Sequence, residues 1–506
     1  MTRVGVAASS QLAADAGVEM ATAGGNAVDA AVASSLVQVV TEPGVVSLGA
    51  AAYIVIWPPG GEPIMIDGAA EMPGREAEPA QFGSGGIDRV LPYGGGTPTK
   101  LGYGSVATPG AIAAYELAAA RYGRLPWRVL VQPAIRAARE GFPMPRASVQ
   151  YLSTTHEALF GWNPPAFEPL SNAEGQLLQA GETVTLPALA ESLSVLAQNG
   201  ARDFYEGEIA EKIASDMAAH GGLLGAADLA AYEATCVPAL TVQLDDWHLA
   251  TAAAPSLGGA ALAAMLMMTN GAAHNTWTRD LASEIVRVQS AVMRYRQQNL
   301  DRSMELGRDI ETLLETAKGN PGALASPSTV HVSSADSERL TCAITASAGY
   351  GSGVMPPGTG IWMNNSLGEA ELTRHGFHAL RPGARLPSNM APTVGMGPDK
   401  VLAIGSPGAD RITTAIFQTL INHVHLGMPI QDAINHPRLH VEWPDDQTPQ
   451  VAWEPGLPLR DWDGPQRTFD HLDMFFGGAG AVTFASPDRF ELAADVRRNG
   501  GTAVSD

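Results

Sequence analysis

The sequence predicts an α+β fold from three observations. Ala-rich segments with helix-forming composition recur along the chain. Short apolar runs of β-like alternation lie between them, and Gly, Pro, Asn and Asp bound nearly every run. Helices alternating with short buried strands suit two sheets sandwiched between helix layers. At 506 residues the chain has room for one large or two ordinary domains. A hydrophobic fraction of 45% against 16% charged residues describes a packed soluble protein rather than a disordered one.

Taken in order, residues 9–23 form an Ala-rich helix that Gly24-Gly25 ends. Asn26 caps a second helix with Asp29 in its first turn, and Val28, Ala31, Val32, Leu36 and Val39 make its apolar stripe. Thr41-Glu42-Pro43-Gly44 is a turn leading through small residues to a buried strand that ends near Trp57. Ile64-Met65-Ile66-Asp67 is a short strand, followed by Gly68-Ala69-Ala70-Glu71-Met72-Pro73. Val106 to Gly110 opens another Ala-rich helix, whereas residues 145–182 read as loop-rich. Leu186 to Ala197 is helical, and Phe204, Ile209, Ile213 and Met217 stripe the next helix. Val242 to Ala253 reads as one strand, Pro255 to Gly259 opens a long helix, and Glu284 to Leu300 forms a helix rich in Arg and Gln. Met304 to Ala325 is polar and is expected to be mobile.

The stretch from Ser326 to Gly360 carries the chemistry. Val330, His331, Val332 and Ser333 alternate as a half-buried strand does. Leu340 to Thr345 makes a second β-run after the polar turn Asp336-Ser337-Glu338, with Gly349, Gly351, Gly353, Gly358 and Gly360 in the loop behind. A threonine at the head of such a strand suits an N-terminal nucleophile: its hydroxyl attacks a carbonyl while its own α-amine takes the proton. That amine titrates near ~7.7–8.0, so it is a base at neutral pH.

Thr329-Val330-His331-Val332-Ser333, Tyr350-Gly351-Ser352-Gly353, Pro357-Gly358-Thr359-Gly360 and Asn364-Asn365 resemble the small-subunit start of the γ-glutamyltransferases (γ-glutamyltranspeptidases, glutathione hydrolases). These N-terminal nucleophile hydrolases cut themselves before the catalytic threonine. Gly24 to Ala31 and Ile434-Asn435-His436-Pro437-Arg438-Leu439-His440 also fit, so the resemblance spans nearly the whole chain.

The resemblance implies a four-layer αββα sandwich, with residues 1–328 as a large subunit and 329–506 as a small subunit of one catalytic domain. It implies Thr329 as nucleophile, Thr345 hydrogen-bonding it, and the Gly408 and Ala409 N–H groups as oxyanion hole. It places Ser347 on substrate, Glu369 on the donor's α-amino group, and Ser388 and Asn389 on the α-carboxylate. Glu71 follows the position where the family carries a carboxylate-clamping arginine. Here that position is Ala69 or Ala70, and Arg75 is the nearest cation in sequence. The histidines near residue 436 read as structural. Two substrate classes stay open: γ-glutamyl compounds, and acyl amides without an α-carboxylate as in the related cephalosporin acylases. An unprocessed non-catalytic relative is a third reading. Water or an amine is the expected acceptor.

The net charge of −21 argues against nucleic acid or an anionic membrane as partner. Cys236 and Cys342 build neither a disulfide framework nor a metal site, and no His/Asp/Glu cluster has ligand spacing, so no cofactor is expected. The N-terminus lacks the pattern of a secretory signal, and no apolar run is long enough to span a bilayer, which sets the expectation of a cytoplasmic protein.

Overall fold

A computed structural model describes residues 2–92, 96–269, 274–301, 303, 305–317, 329–370, 372–373, 375–443, 448–459, 462–498 and 500–506. Thirteen strands form its two large sheets: β1 (Val4–Ala8), β2 (Ala51–Trp57), β3 (Ile64–Gly68), β4 (Thr235–Pro238), β5 (Leu240–Leu244), β6 (Trp247–Thr251), β7 (Val330–Asp336), β8 (Thr341–Ser347), β9 (Thr393–Met396), β10 (Lys400–Gly405), β11 (Gly480–Ala485), β12 (Arg489–Ala494) and β13 (Gly501–Val504). The first sheet runs β13-β1-β7-β8-β2-β3-β4 and the second β12-β11-β10-β9-β6-β5.

The two sheets stack face to face between helix layers, which gives the αββα sandwich. On β2, Ala52, Ile54 and Ile56 join the core shared with the first helix layer. Ala51, Tyr53 and Val55 face Ala250, Val394 and Ala403 of the second sheet. A strand buried on both faces loses the apolar–polar alternation of a half-exposed one, hence the continuous apolar run in β2. The long helix Leu257–Thr269 covers the far face of the second sheet, in a core that also takes Leu402 and Ile404 of β10.

The helix Ala27–Thr41 shows how the sequence sets its own local structure. Asn26 caps it, its side chain accepting from the N–H groups of Val28 and Asp29, while Asp29 accepts from the Asn26 N–H. The expected apolar stripe is a correction, because all fifteen residues of the helix are buried. Two of its polar side chains tie it to its neighbours: the Ser34 hydroxyl donates to the Ala13 carbonyl, and Gln38 Nε2 donates to the His331 carbonyl.

Three other expectations change. Residues 146–160, read as loop, form a helix that buries Tyr151, Leu152 and Phe160. The strand expected over Val242 to Ala253 is a hairpin, β5 and β6, turning at Asp245, whose φ is 51°. Part of the segment expected to be mobile is the helix Leu306–Ala317, with Ile310 and Leu313 buried in the second core. Residues 318–325 lie outside the described residues, as does Ser328. No described helix is long and apolar enough to cross a membrane.

One buried acid makes stability pH-dependent. Burial pushes the Glu42 carboxyl up to about 7, against the hydrogen bond from Ser9 and the nearby Arg498, which pull it down. The folded state therefore holds this proton more tightly than the unfolded chain. The stabilisation is complete below the unfolded pKa of ~4.3 and is lost as pH rises through about 7. Glu42→Gln should flatten the fall in unfolding free energy between those limits by roughly 1–3 kcal/mol. An unchanged slope across that window would assign the pH dependence elsewhere.

Candidate active site

Thr329 heads β7 and is 2% exposed. Antiparallel register sets Val330 against Ala346 and His331 against Thr345. Val330 and Val332 point into the helix-side core, so Thr329, His331 and Ser333 share the inter-sheet face with Thr345 and Ser347 of β8. At the end of these strands a cleft opens. Its polar wall is Thr329, Ser347, Ser366, Glu369, Ser388 and Asn389; its apolar wall includes Ala51, Ala69, Ala70, Leu386 and Met390. Five of the residues expected from sequence thus share one cleft, and Ser366 joins them.

Glu369 is 4% exposed and is the one charged residue of the cleft among the described residues. Its carboxylate lies over Gly349, whose φ is 61°. A Cβ there would fall 3.0 Å from Glu369 Oε1 and 2.3 Å from Asn365 Oδ1, so the glycine is required twice over. Asn365 Oδ1 accepts from the Tyr350 N–H at 2.7 Å and its Nδ2 donates to Thr99 Oγ1 at 3.0 Å, which fixes the loop carrying Glu369. On the facing wall Ser388 accepts from the Met390 N–H at 3.2 Å. Asn389 is 4% exposed, and among the described residues neither end of its amide has a hydrogen-bond partner.

Thr345 lies wholly buried behind this wall, and so does the turn after β10. Gly408 has φ 125° and Ala409 φ 73°, so the alanine adopts the left-handed backbone that glycine would favour. Both residues are buried, and among the described residues neither N–H donates to an acceptor of the fold. Asp410 anchors the far side of the turn, 2.7 Å from Arg411 Nη1 and 2.7 Å from His440 Nε2, with the histidine fully buried. Burial would raise the Asp410 carboxyl, yet Arg411 and His440 hold it below its ordinary value.

Glu71 lies off the cleft. Its carboxylate meets Arg75 Nη2 at 3.2 Å and Arg385 Nε at 3.4 Å, behind Ala69 and Ala70. Arg75 also pairs with buried Asp228 at 3.3 Å, so two carboxylates hold it away from the cleft. Arg385, which nothing in the sequence pattern singles out, donates to the Ala69 carbonyl at 3.0 Å and stacks its guanidinium 4.6 Å from the Tyr232 ring centroid. Both arginines brace the wall, and among the described residues the cleft itself presents no cation.

The profile of the Gamma-glutamyltranspeptidase family matches residues 13–312 and 288–505. The chain belongs to the γ-glutamyltranspeptidase family. Among its relatives, a glutathione hydrolase proenzyme of Escherichia coli (strain K12) is 29% identical over 494 residues, covering 89% of this chain and 83% of the relative. A glutathione hydrolase 5 proenzyme of Mus musculus is 28% identical over 556 residues, covering 99% of this chain and 92% of its own. Among solved structures, a cephalosporin acylase from Bacillus halodurans superposes with a TM-score of 0.82 at 25% identity, over 99% of this chain and 96% of the acylase. The family's two-sheet sandwich is therefore the fold of this chain along almost its whole length.

Proposed function

We propose that this γ-glutamyltranspeptidase-family chain is a self-processing amidohydrolase or acyltransferase that uses Thr329 as its nucleophile. The observation that carries the reading is the convergence of Thr329, Glu369, Ser388 and Asn389 on one cleft. Cleavage between Ser328 and Thr329 yields chains 1–328 and 329–506 and frees the Thr329 α-amine. The Thr329 hydroxyl then attacks the amide carbon, its proton passing to that amine. The oxyanion sits at the Gly408 and Ala409 N–H groups, whose lack of an acceptor within the described fold suits this task. The C–N bond breaks and the leaving amine takes the proton. Water, or a second amine, then attacks the threonine ester and restores the hydroxyl.

Glu369 suits an ammonium on the donor, as a γ-glutamyl group offers. A second reading has its own support: the cleft wall carries no cation among the described residues, and a buried carboxylate without one costs several kcal/mol that Ser388 and Asn389 offset in part. An acyl amide that lacks the α-carboxylate escapes this cost. The enzyme therefore takes γ-glutamyl amides without demanding their carboxylate.

The test compares a γ-glutamyl anilide with its analogue lacking the α-carboxylate. Their kcat/KM values should agree within about tenfold, since among the described residues no charge-assisted clamp lines the cleft. Ala70→Arg, or Ala69→Arg, should raise the preference for the carboxylate-bearing donor. Glu369→Ala should raise KM for amine-bearing donors by roughly 30-fold while self-cleavage proceeds. A parent preference above roughly a thousandfold would mean that a cation does reach the cleft, and would sink the relaxed specificity.

A further inference from the structure

His331 is buried on the inter-sheet face, in register with Thr345. Its Nδ1 lies 2.9 Å from Thr345 Oγ1, and its Nε2 lies 2.7 Å from Ser333 Oγ. The Ser333 hydroxyl reaches across to the second sheet and donates to the Gly480 carbonyl at 3.0 Å. The imidazole packs against Gly405 of that sheet, where a Cβ would come within 2.3 Å of ring atoms. The ring thus fills a slot that only glycine leaves open.

The chemistry of the endpoint sets the direction of the whole chain. A carbonyl oxygen only accepts, so the Ser333 proton is committed to Gly480. Ser333 Oγ must then accept from His331 Nε2–H, which leaves Nδ1 with a lone pair. Thr345 therefore donates to Nδ1, and its oxygen has only lone pairs left to offer. Thr345 stands diagonally from Thr329 on the same face, across the Val330–Ala346 pair.

We propose that His331 is a positioning residue that makes Thr345 an obligatory acceptor toward the Thr329 hydroxyl. A Thr345 free to rotate would spend part of its time donating to the Thr329 oxygen, occupying the lone pair that must attack. With its proton drawn off by His331, it can only accept from the Thr329 hydroxyl in the resting enzyme, which turns that lone pair toward the cleft until attack carries the proton to the Thr329 α-amine. Burial pushes the imidazole down to about 3, which keeps it neutral and keeps Nδ1 an acceptor. The inference rests on Thr329 as nucleophile and goes beyond it.

The experiment measures kcat and KM with a chromogenic anilide for His331→Leu, His331→Asn, Ser333→Ala and Thr345→Val, each checked for folding by its thermal melt. His331→Leu should lower kcat by about 10- to 100-fold with KM within about twofold. His331→Asn places an amide oxygen near the Nδ1 position and should recover about tenfold of that loss. In the Thr345→Val background His331→Leu should cost less than about twofold more, because the link it serves is already gone. Losses that multiply, or an asparagine no better than leucine, would overturn the proposal. Should the leucine variant fail to fold or to cleave itself, Ser333→Ala decides, since it keeps the ring and releases only the tautomer. A fall in kcat of about 3- to 10-fold supports the relay, and an unchanged kcat overturns it. Turnover that survives Thr329→Ala would instead sink the nucleophile assignment itself.

Discussion

Thr329→Ala should run on a denaturing gel as one full-length chain, while the parent runs as two. Both effects come from one atom. On the proposed mechanism, the Thr329 hydroxyl of the precursor attacks the Ser328 carbonyl, forming an ester and freeing the α-amine as the C–N bond opens; water then cleaves the ester. On the same proposal, this hydroxyl in the processed enzyme takes the acyl group of the substrate. Removing it should lower kcat/KM by at least ~10⁴-fold, because residual binding and the oxyanion donors cannot supply a covalent route. Thr329→Ser retains a hydroxyl and should still split. The band pattern and the rate with a γ-glutamyl anilide are read on the same preparation. An alanine variant that cleaves at the same bond would displace Thr329 from both roles.

Much of this site is legible as residue pattern, because the groups that line the cleft sit in short contiguous stretches. Thr329 opens an alternating strand, Glu369 follows Asn364-Asn365, and Ser388-Asn389 lies between two prolines. His331 was readable only as one position of a period-2 strand, and that alternation normally sends every second residue to water. The sandwich buries both faces of β7, so the polar positions become an internal network between the sheets. Its partners Gly405 and Gly480 come from distant strands. Arg385 is hidden for a similar reason: its ion partners Asp67 and Glu71 are over 300 residues away in sequence. The hairpin at Asp245 and the helix Leu306–Ala317 were misjudged from local composition. A two-residue turn, Asp245-Asp246, interrupts the first, and burial of Ile310 and Leu313 orders the second.

The turn that carries Gly408 and Ala409 is braced from behind by four charges with no access to water, and breaking that set should have the largest effect on stability. Arg438 Nη2 lies 2.7 Å from Asp495 and Arg497 Nη1 lies 3.0 Å from the same carboxylate, while Arg497 also pairs closely with Glu454. Glu454 accepts further from the N–H groups of Arg438 and Asp473, both at 2.8 Å, and Asp495 accepts from the Ala479 N–H at 2.9 Å. Arg438 donates to the Phe476 carbonyl at 3.1 Å. These bonds fix residues 473–479, and a Cβ on Gly408 would lie only 2.6 Å from Gly477 Cα, so the turn proposed as the oxyanion hole rests directly on that loop. Glu454→Ala leaves Arg497 buried with half its counter-charge and frees the Asp473 end of the loop. The expected cost is about 3–5 kcal/mol, read from urea unfolding of the processed enzyme. Replacing both partners, Glu454→Leu with Arg497→Met, removes the orphaned charge and should recover a large part of that stability, as apolar substitutes for buried ion pairs often do. It should not recover activity: without the hydrogen bonds to Asp473 and Arg438 the loop beneath Gly408 loses its fixed position, and an oxyanion donor out of place costs about 10²–10³ in kcat. A double variant that regains full kcat along with its stability would show that the charges hold the fold alone and not the turn.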